Sequence, residues 1–175
     1  MMKHILVATD GSPTAYKAVD LAAEIAAKFG SELTVGHVLH RDSDIDEMAH
    51  VAEAAHLVGH AARHASRDFD VPPATMGALF ADIQSGADTA RLITVIGDEI
   101  LARAERRAKE LGVKSINKKS VNGKPANAIL DMAEDAGADM IVLGHRGLGR
   151  VRSLIQGSVS QKVNLHATCT VVSVR

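Results

Sequence analysis

A glycine-rich segment, GHRGLGRVRSLIQGSVSQKV (residues 144–163), combines bare backbone positions with side chains that bind anions. Its glycines let the backbone approach a ligand closely or adopt positive φ, and its arginines are natural phosphate partners. Gly157 and Ser158 precede a helical pattern, so Ser158 is a predicted N-cap beside unpaired backbone N–H groups. Because such a helix start attracts anions, the segment predicts a phosphate-binding loop. The alternative is a flexible loop whose basic side chains are solvated.

Two common phosphate-binding motifs are absent from the sequence. There is no GK[ST] triplet, so the Lys and Mg²⁺ arrangement of a Walker A loop is missing. The first predicted strand is followed by TDGSPT and not by a GxGxxG turn. A phosphate would therefore be held by a different kind of loop.

Short apolar runs that alternate with helical patterns indicate the elements that must position this loop. Strands are predicted in HILVAT, ELTVGHVL, VKSINKKSV, DMIVLG and CTVVSV. Helices are predicted over residues 13–30, 99–112 and 125–137 and after Ser158, with proline starts and glycine stops at several ends. The alternation predicts an α/β fold, a doubly wound five-stranded parallel sheet with helices on both faces. Gly144 would then lie at the carboxyl ends of the strands, where such folds bind ligands.

The second predicted strand and its crossover helix are separated by more chain than a crossover needs. Residues 41–98 contain helical patterns broken by prolines, and the last of these patterns runs into the crossover helix through Gly97. The segment has too few large apolar residues for a core of its own. We predict a single domain, 1–175, in which residues 41–98 form a helical insertion after the second strand. The insertion could act as a lid over the cleft, a plug within it, or an interface with a second protomer or a protein partner.

Composition limits the classes of partner and compartment. The net charge of −1 gives no general reason to expect nucleic acid or an acidic membrane as partner, and the aromatic content of 2% leaves few side chains on which bases could stack. The single cysteine excludes an internal disulfide and fits a reducing compartment. The apolar run near the N-terminus is too short for a signal peptide, and no run approaches a membrane span. We expect a cytoplasmic protein with neither a nucleic acid nor a membrane as partner.

Other residue groups give weaker indications of chemistry. His56, His60 and His64 lie at helical spacing within the predicted insertion, but a zinc site needs three or four convergent ligands. A solvated polar face or an interface is the favoured interpretation of these histidines. Cys169, at the start of the last predicted strand, is expected to act as a small hydrophobic residue. No Ser–His–Asp or paired-carboxylate set is placed so as to suggest catalysis.

Several motifs together resemble the universal stress protein family. The spacing Gly144-x2-Gly147-x9-Gly157-Ser158 matches its nucleotide-binding signature, and ILVATDGS, ELTVGHVL, GKPANAI and the final apolar strand also match. The resemblance covers residues 3–40 and about 99–175. It implies the doubly wound fold, ATP binding with Mg²⁺ or Mn²⁺, and a homodimer paired through the last strand. Members of this kind show little catalysis.

Carried over residue by residue, the resemblance implies a nucleotide site. Val38 would contact adenine, Asp10 would line the ribose pocket, and Arg146 would meet the phosphates. The full implied set, from base to phosphates, is Ala8, Thr9, Asp10, Val38, Leu143, Gly144, Arg146, Gly147, Gly157, Ser158, Val159 and Ser160. Each residue also has a purely structural interpretation: Val38 could serve the core, Ser158 a helix cap and Asp10 its own turn.

The leading functional hypothesis is an ATP-binding regulatory or stress-response protein that acts through its bound state. One alternative is a slow ATPase or another nucleotide-dependent enzyme. A second alternative is an interaction module that uses the inserted helices. Because an Ala-rich amphipathic helix without its own core needs something to cover it, the insertion favours this last alternative most directly.

Overall fold

The computed structural model describes residues 2–39, 86–147 and 157–175. Within these ranges strands and helices alternate in the order β1 (His4–Ala8), α1 (Pro13–Phe29), β2 (Glu32–Leu39), α2 (Gly86–Glu110), β3 (Ile116–Asn122), α3 (Pro125–Ala136), β4 (Met140–Gly144), α4 (Ser158–His166) and β5 (Thr170–Val174). The strands form one sheet in the order β3-β2-β1-β4-β5, and every neighbouring pair is parallel. The predicted fold class is confirmed.

The centre of the sheet is β1, which pairs with β2 on one side and with β4 on the other. Ala8, its last residue, is in register with both Gly36 and Leu143. After β1 the chain forms β2 and β3 on one side of it and then crosses to β4 on the other side. The direction in which strands are added to the sheet therefore reverses between β1 and β4. In open α/β folds the crevice outside the carboxyl ends at such a reversal is where ligands bind.

Two apolar layers hold the helices against the sheet. Alternation along β1 directs Ile5 and Val7 toward the layer that contains α1 and α2, and directs Leu6 toward the layer of α3 and α4. All three side chains are fully buried. Because β1 is covered on both faces, its sequence is a continuous apolar run with no polar alternation.

The ends of α1 follow from the turn residues that flank it. Ser12 Oγ accepts a hydrogen bond from Ala15 N at 3.2 Å, Pro13 begins the helix, and Gly30 ends it in the left-handed region at φ 68°. The same signature places α3 between Pro125 and Gly137, where Gly137 has φ 60°. These local signals predicted both helices correctly.

Helix α2 is continuous from Gly86 and crosses the predicted boundary of the insertion at residue 98. The glycine at 97 has a packing reason: a Cβ there would lie 2.8 Å from Leu39 Cδ2 and 2.9 Å from His37 Cδ2. Close approach of α2 to β2 therefore outweighs a propensity cost of about 1 kcal/mol. The rest of the predicted insertion, including its three spaced histidines, lies outside the described residues. No helix in the described ranges is long and apolar enough to cross a membrane.

The two edges of the sheet differ in chemistry. On β3, Lys118 pairs with Glu105 at 2.7 Å and Lys119 with Asp135 at 2.7 Å. On β5, the residues from Val171 to Val174 are half-buried and mostly valine. Charged side chains discourage strand pairing at an edge, so β5 is the edge better suited to pair with another strand.

Candidate functional site

Three segments that are distant in sequence meet at the carboxyl ends of β1 and β4. They are the turn after β1 (residues 9–12), the loop after β4 (residues 145–147) and the start of α4. Gly157 N donates to His145 O at 3.0 Å, which joins the start of α4 to the loop. His145 N in turn donates to Val174 O at 2.6 Å, so the loop is also fixed to the end of β5. The structure thus brings most of the predicted site residues to one edge of the sheet.

The loop after β4 is held against the first turn of α1. Thr14 Oγ1 donates to Arg146 O at 2.5 Å. A Cβ at Gly144 would lie 3.0 Å from Arg146 O and 3.1 Å from Ala15 N. Gly144 is buried, and in this structure its missing side chain makes room for protein atoms of α1 and the loop.

The carboxylate of Asp10 lies between the turn after β1 and the loop after β4. Its Oδ1 accepts a hydrogen bond from Ser12 N at 3.0 Å, an Asx-turn contact. A Cβ at Gly147 would collide with Oδ2 of Asp10, so any other residue at 147 would require the Asp10 carboxylate to shift. Asp10 therefore stabilises the turn after β1, which is the structural role considered for it above, and its carboxylate also lies next to Gly147.

Apolar side chains line the α3 and α4 face of the sheet near its carboxyl edge. Ala8 and Leu143 are buried there, and Val38, two residues beyond the pair formed by Gly36 and Ala8, is half-buried in the same layer. Thr9 is 4% exposed, and its N–H donates to Gly36 O at 2.9 Å. The backbone of Thr9 thus extends the β1–β2 pairing by one residue into the turn.

The N-cap of α4 is Gly157, so the prediction of Ser158 as the cap was wrong. Gly157 O accepts the first helical hydrogen bond, from Gln161 N at 3.0 Å, and Ser158 is the first helical residue with an exposed side chain. Gly157 has φ −68°, which any residue adopts, but a Cβ there would lie 3.2 Å from His145 O. Close backbone approach between helix and loop is therefore the reason for glycine at the cap.

The other two predicted residues of α4 face the protein interior to different degrees. Ser160 is 2% exposed, and its Oγ lies 2.9 Å from both His145 O and Gly157 O. Because carbonyl oxygens only accept, the hydroxyl of Ser160 donates toward the protein in this arrangement. Val159 is half-buried against the α3 and α4 layer. Ser160 thus fastens the first turn of α4 to the loop.

Arg146 and Gly147 are exposed at the mouth of the site. The arginines at 150 and 152 and the glycine at 149 lie outside the described residues. Within the described ranges no group of three or more His, Cys, Asp or Glu side chains converges as a metal cluster would. Cys169 is half-buried against the α3 and α4 layer, and burial raises the pKa of its thiol, in keeping with the predicted hydrophobic role.

His37 is a buried polar residue of this region that the sequence interpretation did not assign to the site. Its Nδ1 lies 2.8 Å from Thr9 O, and because the carbonyl only accepts, Nδ1 carries the proton. Burial lowers the pKa of His37, against the opposing effects of its bond to Thr9 and of Asp10 and Asp98. A lone histidine within the apolar run ELTVGHVL was the signal for a neutral, buried imidazole.

The stability that His37 contributes is expected to be lost as the pH is lowered. Since the pKa of His37 is lowered in the folded protein, the unfolded chain binds a proton first as the pH drops through about 6.5. Between pH 7.5 and pH 5.5, the free energy of unfolding measured with urea should decrease more for the wild type than for His37→Asn. The asparagine amide can replace the Nδ1 donor but does not titrate. The difference cannot exceed about 1.4 kcal/mol per pH unit. Equal losses in the two proteins would contradict the neutral, buried state.

The family model described as the universal stress protein family matches residues 1–175. The chain belongs to the universal stress protein family. Among curated relatives, the universal stress protein YxiE of Bacillus subtilis is 29% identical over 179 residues, which cover 100% of both chains. The family membership expected from the glycine spacing is thus confirmed over the whole length of the chain.

Solved structures of universal stress proteins share the fold of this one. The UspA structure from Lactobacillus plantarum has a TM-score of 0.70 and 19% identity, with 99% of this chain and 98% of that chain covered. A universal stress protein in complex with cAMP has a TM-score of 0.61 and 22% identity, over 99% and 97% of the two chains. The Archaeoglobus fulgidus protein in complex with dAMP has a TM-score of 0.60 and 19% identity, over 100% and 98%. At these identities the similarity establishes the fold.

Proposed function

We propose that this universal stress protein binds an adenine nucleotide, ATP in particular, in the crevice outside the carboxyl ends of β1 and β4. The observation that carries the proposal is the meeting of the β1 turn, the loop after β4 and the start of α4 at the reversal of strand order. Support also comes from two proteins of the same fold whose structures contain cAMP and dAMP.

The proposed roles follow the chemistry of each part of the crevice. The adenine lies near the apolar side chains of Ala8, Val38 and Leu143, and the ribose lies beside Asp10. The phosphates lie between the loop after β4 and the start of α4, where helix N–H groups and the helix dipole favour anions. The proposed phosphate contacts are Arg146, Gly147, Ser158 and the backbone of Val159. Gly157 lies beside them with its own N–H bonded to His145 O and leaves the phosphate room, while Ser160 holds the helix start in place.

A divalent cation fits this site as a companion of the phosphates. Mg²⁺ keeps several waters and usually takes one or two protein carboxylates together with phosphate oxygens. Asp10 supplies a carboxylate at this edge of the sheet, next to Gly147. Mg²⁺ or Mn²⁺ would therefore arrive with ATP, neutralise phosphate charge and contact Asp10.

We propose a regulatory role, in which nucleotide occupancy is the signal, and a homodimer as the working form. The half-buried valines of β5 suit pairing with the β5 of a second copy, while the lysines of β3 do not. The reducing compartment indicated by one cysteine supports a cytoplasmic location. Whether the protein instead hydrolyses ATP slowly is tested by identifying the bound nucleotide as ATP, ADP or AMP.

The nucleotide content of freshly purified protein tests the proposal directly. We expect near-stoichiometric ATP in the supernatant after denaturation and ion-exchange chromatography, because slow dissociation keeps the ligand on the protein and slow hydrolysis keeps it as ATP. Recovery of ADP or AMP would favour the enzymatic alternative. An empty protein that also fails to bind added ATP would contradict the nucleotide site.

A further inference from the structure

Thr14, in the first turn of α1, belongs to a directed chain of hydrogen bonds. Its Oγ1 lies 2.5 Å from Arg146 O, and because a carbonyl only accepts, Thr14 is the donor. The single hydroxyl proton of Thr14 is thereby committed. In the 3.2 Å contact between the hydroxyls of Ser12 and Thr14, Ser12 must therefore donate. Ser12 Oγ itself accepts from Ala15 N, so the chain runs from the cap of α1 to the loop after β4.

This chain fixes the direction of one peptide group in the loop. No described peptide bond is cis, so the bond between Arg146 and Gly147 is trans and planar, with C=O and N–H pointing in opposite directions. When Thr14 holds Arg146 O toward α1, the N–H of Gly147 is turned away from α1. Rotation of this peptide would break the bond to Thr14.

Two glycines give the chain the space that it needs. A Cβ at Gly144 would lie 3.1 Å from Thr14 Oγ1, so a side chain there would press on the hydroxyl that holds the loop. A Cβ at Gly147 would collide with the carboxylate of Asp10, so glycine lets the peptide that follows Arg146 pass the β1 turn without displacing that carboxylate. The glycines and Thr14 therefore act together to set this peptide.

We propose that Thr14 is a positioning residue that aims the N–H of Gly147 at a phosphate group of the bound nucleotide. The inference rests on the proposed function and assigns the discrimination between phosphorylated and unphosphorylated ligands partly to Thr14. Thr14 does not contact the ligand and acts through the carbonyl of Arg146. A preset N–H favours binding because no reorganisation of the loop is needed when the anion arrives.

Titration of Thr14→Val and Thr14→Ser with ATP and with adenosine tests this role. Valine keeps the branched shape of threonine but removes the donor, so ATP should bind about tenfold more weakly, as expected for one lost bond to a charged group. Adenosine affinity should stay within about twofold, since it has no phosphate for Gly147 to bind. Serine keeps the donor and should restore ATP affinity to within about threefold of the wild type. In the nucleotide-free protein, the amide resonance of Gly147 should shift in Thr14→Val and not in Thr14→Ser.

The possible outcomes separate the two proposals. Wild-type affinity for ATP in Thr14→Val, or an equal loss for ATP and adenosine, would overturn the positioning role and leave the nucleotide site intact. A wild-type protein that binds neither ligand would refute the nucleotide site and, with it, the purpose assigned to Thr14. Thermal unfolding of both variants checks that the sheet remains folded in each comparison.

Discussion

Replacement of Gly157 by Val is expected to lower the affinity for ATP by about 100-fold or more while the sheet remains folded. The φ of −68° accommodates valine without backbone strain. Its Cβ, however, would lie 3.2 Å from His145 O and 3.5 Å from Arg146 Cα. The two methyl groups extend further, so the start of α4 must move away from the loop. Because phosphates bind both segments at once in the proposed site, two charge-assisted hydrogen bonds worth about 1.5–3 kcal/mol each are lost.

A matched substitution in the same helix separates this effect from a general loss of helix stability. Gln161 is exposed one turn beyond Gly157, and Gln161→Val introduces the same branched side chain. Its ATP affinity, measured by calorimetry, should stay within about twofold of the wild type. Gly157→Ala should fall between the two valine variants. A folded Gly157→Val protein with wild-type affinity would place the phosphates elsewhere.

Truncation of Met132 is expected to be among the most destabilising changes in the protein. Met132 is 1% exposed on α3, and its thioether covers the bare backbone of Gly36 in β2. Met132→Ala leaves a cavity over an inner strand of the sheet, and such truncations cost about 2–5 kcal/mol of unfolding free energy. Urea unfolding of the variant and the wild type measures the loss. A cost below about 1 kcal/mol would contradict the close packing of this layer.

A double-mutant cycle shows whether Gly36 is the partner of Met132. A Cβ at Gly36 would lie 3.0 Å from Met132 Cε and 3.1 Å from its Sδ, so Gly36→Ala alone should cost about 1–3 kcal/mol through overpacking. In the double variant, the methyl group introduced by Gly36→Ala occupies the cavity left by Met132→Ala. The double variant should therefore lose about 0.5–3 kcal/mol less stability than the losses of the two single variants added together. Met140 lies in the α1 and α2 layer, so Met140→Ala combined with Gly36→Ala should be additive.

Elements whose signals are local could be predicted from the sequence. Apolar runs gave the strands, and the proline starts and glycine stops gave α1 and α3, because capping depends on residues within one turn. The glycine spacing indicated the family and the edge of the sheet at which its segments meet. The boundary of α4 was misplaced by one residue because serine is the commoner cap, and here close approach to His145 selects glycine.

Features that depend on tertiary contacts could not be predicted in this way. The bond from Thr14 to the carbonyl of Arg146 spans 132 residues, and nothing in either local sequence indicates it. Gly144 and Gly147 were interpreted as room for a ligand or as positive-φ positions. The structure places atoms of α1 and the carboxylate of Asp10 against them. The nucleotide contacts of the site residues stay predictions until binding is measured.

The central position of β1 also has a consequence for synthesis of the protein. The backbone N–H groups of Lys3 and His4 donate to the carboxylate of Asp139, which lies 136 and 135 residues further along the chain. Strand β1 therefore gains its β4 neighbour only when most of the chain has left the ribosome. Until then β1 can pair with β2 alone, and the loop and the helix start proposed to hold phosphates do not yet exist. Closing so long a loop also slows folding. If the proposed site holds a nucleotide, a nascent chain therefore cannot bind it, and a bound nucleotide would distinguish completed molecules from unfinished ones.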